Sequence, residues 1–124
     1  MATNTQVIQQ AYVAFGRGDI PALMALLADD VTWTSPRTLP HGGEFHGPAE
    51  VGKFFEGLGA AWDPLTLDVD QVDAFGDRVV GVVRADGTRR GGKSAGYGAV
   101  HVFRVVDGRI ASFQEYVDID APIA

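Results

Sequence analysis

SAGYGAVHVFRVVDGRIASFQEYVD, the stretch from Ser94 to Asp118, decides the fold. Two runs rich in β-branched and aromatic residues alternate with period two on either side of Asp107-Gly108, a dipeptide that accommodates the positive φ angles of a two-residue hairpin turn. Working backward, Arg89 to Lys93 forms another hairpin tip and Arg78 to Thr88 another strand. A turn at Gly76-Asp77 and a strand after Pro64, with Leu65, Leu67, Val69 and Gln71 on one side, complete an antiparallel meander.

The half before Pro64 carries a different period. Val7, Ile8, Ala11, Tyr12, Ala14 and Phe15 recur at three- and four-residue spacing and predict an amphipathic helix from Asn4 to Phe15, stopped at Gly16 and Gly18. Asp19 as N-cap and Pro21 just inside start a second, short helix whose apolar stripe runs to Leu27. Val31 to Ser35 reads as a strand ended by Pro36, and Arg37 to Gly47 as a loop over the mouth of a pocket. Pro48 opens a third helix with Val51, Phe54, Phe55 and Leu58 on one face, and Trp62 caps the core near its end. Helices first and a meander after them define an α+β class. No internal repeat or linker divides residues 1–124, which read as one domain, and the tail from Asp120 to Ala124 reads as loose.

Composition narrows the function. With 124 residues the chain can bury a core unaided, and without cysteine it has no disulfide framework, thiolate nucleophile or cysteine-based metal site. The formal net charge of −6 argues against nucleic acid as a partner, and the one dense basic stretch, Arg89, Arg90 and Lys93, lies among glycines at a hairpin tip. No secretory signal begins the sequence and no apolar run reaches bilayer length, so the expected location is the cytoplasm, away from membranes. His41 and His46 flank Glu44, but at a spacing that matches no standard metal site; no metal and no cofactor is expected.

Three further stretches carry a family likeness. Gly18-Asp19 followed by Leu26-Leu27-Ala28-Asp29-Asp30-Val31, then Gly47 leading to Phe54-Phe55, then His101 to Arg104 with Asp107-Gly108-Arg109-Ile110 and Glu115 to Asp118, make the chain resemble the SnoaL-like branch of the nuclear-transport-factor-2-like superfamily over nearly its whole length. The resemblance implies a cone-shaped barrel of a strongly bent, mainly antiparallel sheet packed on three N-terminal helices, enclosing a pocket, often in a homodimer formed through the sheet. It implies no single activity: the superfamily includes isomerases, polyketide cyclases, epoxide hydrolases and binding modules, so function rests on the site.

Strand alternation puts Val31, Trp33 and Ser35 in one phase, Val80, Val82, Arg84 and Asp86 in another, then Tyr97, Ala99, His101 and Phe103, then Ala111, Phe113, Glu115 and Val117. Taking those faces as the inner ones, as the resemblance implies, the expected catalytic group is Glu115, Asp86, Arg84 and His101. Tyr12, Trp33, Ser35, Phe55, Tyr97, Phe103 and Phe113 would contact a small apolar organic ligand. Arg84-Ala85-Asp86 with Glu115 resembles the arginine and two acids of limonene epoxide hydrolases, where one carboxylate activates water and the other protonates the epoxide. Trp33 and Ser35 depart from the tyrosine and asparagine of that pattern, and Ser35 from the aspartate base of ketosteroid isomerases. His101 reads equally as a general base or as a buried neutral imidazole, and Arg84, Asp86 and Glu115 also as a structural ion-pair network. Two functions follow: acid–base chemistry on a small apolar metabolite by epoxide hydrolysis, isomerisation or cyclisation, or a non-catalytic module for ligand binding or dimerisation.

Overall fold

A computed structural model describes residues 2–119, 122 and 123. In chain order the elements are α1 (Asn4–Gly16), α2 (Ile20–Met24), β1 (Leu27–Ser35), β2 (Gly43–His46), α3 (Gly47–Ala61), β3 (Trp62–Phe75), β4 (Arg78–Arg89), β5 (Ser94–Val106) and β6 (Arg109–Val117). The six strands form one sheet in the order β2-β1-β6-β5-β4-β3; β1 runs parallel to β6 and the other neighbours are antiparallel. The expected α+β cone is therefore present, as a strongly curled sheet that stays open between β2 and β3.

Local chemistry sets most boundaries. Thr3 caps α1 through the Gln6 backbone N–H, and the Gln6 side chain answers by accepting from Thr3 N. Asp19 accepts from Ala22 N at the start of α2, with Pro21 in the first turn. Asp107 (φ 53°) and Gly108 (φ 76°) are both left-handed, as a two-residue hairpin whose twist matches its strands requires. The helices bury Val7, Ile8, Ala11 and Ala14 of α1 and Val51 and Phe54 of α3 against the concave face of the sheet.

The structure departs from the expectation in four places. The α2 stripe stops at Met24, and Leu27 already belongs to β1, which is irregular between Leu27 and Thr32. Residues 43–46, expected in a loop, pair with β1 as β2. Trp62, expected to cap the core near the end of α3, does so as the C-cap of that helix, 2% exposed, and is also the first residue of β3. A register shift between Val69 and Gln71 reverses the phase of β3, so that Val69 is 36% exposed and Val72 packs on the core. In the tail, Asp120, Ala121 and Ala124 lie outside the described residues, while Ile123 N donates to Thr38 O and its side chain joins a core cluster with Trp62 and Tyr97. No described helix is long and apolar enough to cross a membrane.

Candidate active site

Between α1, α3 and the concave sheet lies a cavity of about 60 Å³. Its walls are mostly aromatic, with Tyr12, Phe15, Trp33, Phe54, Phe55, Tyr97, Phe103 and Phe113, and its polar groups come from Tyr12, His41, Tyr97, His101 and Glu115. That volume lies below the ~300–1,000 Å³ of pockets that enclose drug-sized ligands, so a small molecule, or a larger one after rotamer changes, fits it.

A hydrogen-bonded chain crosses this cavity. Tyr12 Oη lies 2.8 Å from His101 Nδ1, His101 Nε2 lies 2.9 Å from Glu115 Oε2, and Ser35 Oγ donates to Glu115 Oε1 at 2.5 Å. Three different elements meet there because of strand register. His101 on β5 pairs directly with Glu115 on β6, and directly opposite residues of an antiparallel pair share a face. Ser35 is brought alongside by the parallel pairing of β1 with β6. Tyr12 reaches over from α1 across Gly81, the residue of β4 that pairs with His101; a Cβ at Gly81 would collide with the Tyr12 hydroxyl.

Ser35, His101 and Glu115 are each at most 5% exposed. Burial pushes the Glu115 carboxyl upward, but the His101 and Ser35 hydrogen bonds, with the attraction of the His101 and His41 imidazoles in their protonated forms, bring it below its ordinary value. Glu115 is therefore held as a carboxylate. An acceptor at Oε2 calls for a proton on His101 Nε2, which leaves Nδ1 with a lone pair for the Tyr12 hydroxyl in the neutral ring; both roles are assigned from partners. Burial, and secondarily the Glu115 charge, raises the Tyr12 phenol above its usual range, so Tyr12 remains protonated.

The expected residues divide cleanly. Tyr12, Trp33, Phe55, Tyr97, His101, Phe103, Phe113 and Glu115 line the cavity, and Ser35 stands behind Glu115. Arg84 and Asp86 are a correction: they point to the opposite, outer face of β4, with side chains 55% and 62% exposed and 3.6 Å apart over Gly96. Val79, Gly81, Val83 and Ala85 face inward instead, because Ala85 pairs with Tyr97 and Gly81 with His101. Both phases of β4 contain valines, so alternation alone offered no way to choose between them. Glu115 thus takes His101 as its partner and not an arginine, and the described residues do not form the epoxide-hydrolase arrangement of two acids about one arginine in the cavity.

His41 is the polar residue of the cavity outside the expected set. The loop after β1 turns through bonds from Leu39 N to Pro36 O and Gly42 N to Leu39 O, and a Cβ at Gly42 would overlap the Pro36 carbonyl. This tight path drives His41 inward, 6% exposed, between Phe54 and Trp62, while Glu44 and His46 face solvent. The Pro- and Gly-rich spelling of residues 36–43 signals the turn but not which side chain it buries.

A family model for the SnoaL-like domain matches residues 8–113, so the chain belongs to the SnoaL-like family. No curated protein matches it. Among solved structures it is similar to an NTF2-like protein from Burkholderia thailandensis, at 37% identity over 95% of this chain and 92% of that chain, TM-score 0.89. It is also similar to an NTF2-like protein of unknown function from Burkholderia pseudomallei, at 34% identity over 95% and 92%, TM-score 0.87. A third similar structure, a putative polyketide cyclase from Xanthomonas campestris pv. campestris, shares 27% identity over 91% and 88%, TM-score 0.80.

Proposed function

We propose that this protein is an acid–base enzyme that isomerises or cyclises a small, mostly apolar metabolite, using side chains of its own in the aromatic cavity. The observation that carries this reading is the buried chain Tyr12–His101–Glu115 with Ser35 behind it, which ends at a cavity whose other walls are mostly apolar. The similarity to a putative polyketide cyclase supports the same class.

The chain follows the logic of a carboxylate that orients a histidine, which in turn serves the group at the substrate. As a ligand proton moves to Tyr12 Oη, the tyrosine proton moves to His101 Nδ1, and the imidazolium so formed faces the Glu115 carboxylate through Nε2. Reversal returns a proton to a different atom of the ligand, which is an isomerisation; attack of the resulting carbanion on a second electrophilic carbon closes a ring. Because Tyr12 stays protonated at rest, the two proton transfers are coupled and no free phenolate accumulates.

A homodimer through the convex face of the sheet belongs to the same proposal. Val82, Val100 and Tyr116 form one cross-strand row, 37%, 36% and 58% exposed, an apolar strip of the kind that an identical strip covers across a two-fold axis. Light scattering on the purified protein and on Val100→Lys tests it, with a dimer in the first and a monomer in the second expected.

The test of the catalytic reading is exchange of α-protons of small cyclic ketones and 1,3-diketones in D2O, followed by NMR. Wild type is expected to accelerate exchange, and Glu115→Gln to lose about 10²–10⁴-fold while staying folded, the usual worth of a positioned acid–base group. Equal exchange by wild type and Glu115→Gln would remove the chain from the mechanism, and no exchange with any carbonyl compound would favour simple ligand binding.

A further inference from the structure

We propose that the cavity selects ligands bearing a carbonyl-type oxygen, and that His41, as a neutral imidazole, binds that oxygen through Nε2–H. The inference builds on the acid–base reading of the same cavity and names the ligand group it takes.

Trp62 Nε1 lies 3.1 Å from His41 Nδ1. An indole N–H can only donate, so His41 Nδ1 must offer a lone pair and the ring proton must sit on Nε2. Trp62 is itself fixed, 2% exposed, with the Arg89 guanidinium 5.4 Å from its ring centroid. His41 is thereby locked in one tautomer by a buried donor that protonation of Nδ1 would oppose. Burial, its largest cause, lowers the His41 pKa from 6.5 to about 4, in keeping with a ring that stays neutral.

The proton on Nε2 has no acceptor among the described residues, although His41 is 6% exposed and lines the cavity. Tyr97, 2% exposed on the same wall, also makes no hydrogen bond there, and burial with the Glu115 charge raises its phenol above the usual range, so it too remains a donor. Trp33 Nε1, unlike those two groups, is sealed from solvent altogether, and it too has no partner among the described residues. Among the acceptors, Glu115 receives Ser35 and His101, and His101 Nδ1 receives Tyr12, which leaves the phenol oxygens of Tyr12 and Tyr97 with open lone pairs. His41 Nε2–H and Trp33 Nε1–H can only donate, so an acceptor in the ligand is what meets them, since a donor left unmet when the cavity is filled costs free energy. A ketone or enol-ether oxygen meets this need; a hydrocarbon does not. Charge developing on such an oxygen during proton removal would be stabilised by the same donor without a proton leaving His41.

Cyclohex-2-enone and cyclohexene serve as probes of equal ring size, titrated by NMR into wild type, His41→Phe and His41→Gln. The Gln amide can replace the Nε2 donor; the Phe ring keeps the shape alone. The ratio of the two affinities is expected to fall roughly tenfold toward the hydrocarbon in His41→Phe, about the worth of one hydrogen bond in a desolvated site, and to hold in His41→Gln. In ¹⁵N spectra of the wild type, His41 is expected to carry its proton on Nε2. An unchanged ratio in His41→Phe, or a proton on Nδ1, overturns the inference; the ¹⁵N result decides it even if His41→Phe does not fold. Failure of both probes to bind also overturns it, and α-proton exchange then judges the acid–base reading separately.

Discussion

Gly81→Ala isolates the packing that aims Tyr12 at His101. The added Cβ would clash severely with the Tyr12 hydroxyl and come within 3.1 Å and 3.3 Å of Cζ and Cε2 of its ring, so the side chain must swing away and the bond to His101 Nδ1 is lost. Overpacking of this kind costs ~1–3 kcal/mol, and the hydrogen bond about 1 kcal/mol more, against a gain of ~0.5–1 kcal/mol from replacing a strand glycine, for a net loss near 2 kcal/mol. Tyr12→Phe by itself should cost about 1 kcal/mol for the bond. In the double variant the hydroxyl that clashes is gone and the bond is lost only once. Its cost should be ~1.5 kcal/mol in place of the ~3 expected from the sum, a coupling of about 1.5 kcal/mol. Urea unfolding of the four proteins, with constant slope, measures the cycle. Additive costs, within ~0.5 kcal/mol, would refute the claim that Gly81 is present to make room for the Tyr12 hydroxyl.

Acid stability tests His41. Its folded pKa lies below the unfolded one, so its contribution is complete above pH 6.5 and lost as the pH falls toward 4, a gap worth ~3 kcal/mol. His41→Gln should flatten the unfolding free energy across that window, and an unaltered profile would mean that the ring is not buried neutral. Ser35→Ala should cost ~1–3 kcal/mol at neutral pH by taking a donor from a buried carboxylate. The folded pKa of Glu115 is likewise depressed, so its stabilisation is present above the unfolded value and lost as the pH falls through the folded one. Ser35→Ala should raise the folded value and start that loss at higher pH, seen as an upward shift in the ¹³C titration of Glu115 Cδ. Arg84→Ala and Asp86→Asn should change stability by less than ~0.5 kcal/mol each and leave α-proton exchange untouched, because the pair is solvated on the outer face; loss of exchange in either would reopen an inward role.

Periodicity, the Asp19 cap and turn residues carried the order of every element but β2, which reads as part of a loop. The switch from three- and four-residue spacing to period two, Asp19 with Pro21 at a helix start, and Asp107-Gly108 at a hairpin are local signals, set by chemistry within a few residues of one another. The inward face of β5 rests on what the family resemblance implies, and the structure turns that phase, with Tyr97, His101 and Phe103, to the cavity, while the other phase holds valines, glycines and Arg104. That aromatic phase, with Phe113 and Glu115 on β6, correctly placed His101 and Glu115 in the cavity.

Sequence could not decide what depends on contacts between distant residues. On β4 the two phases are nearly balanced, and the one that faces inward is the one with small residues, Gly81 and Ala85, because Tyr12 and Tyr97 occupy the space beside them. The phase reversal in β3 arises from an extra residue opposite β4, which no single strand reveals. His41 faces the cavity only because a loop folded on Pro36 and Gly42 meets Trp62 from β3, and its tautomer is chosen by an indole twenty-one residues away. Alternation along a strand is a property of one segment; which face is buried, and which lone pair meets which proton, are properties of the assembled tertiary structure.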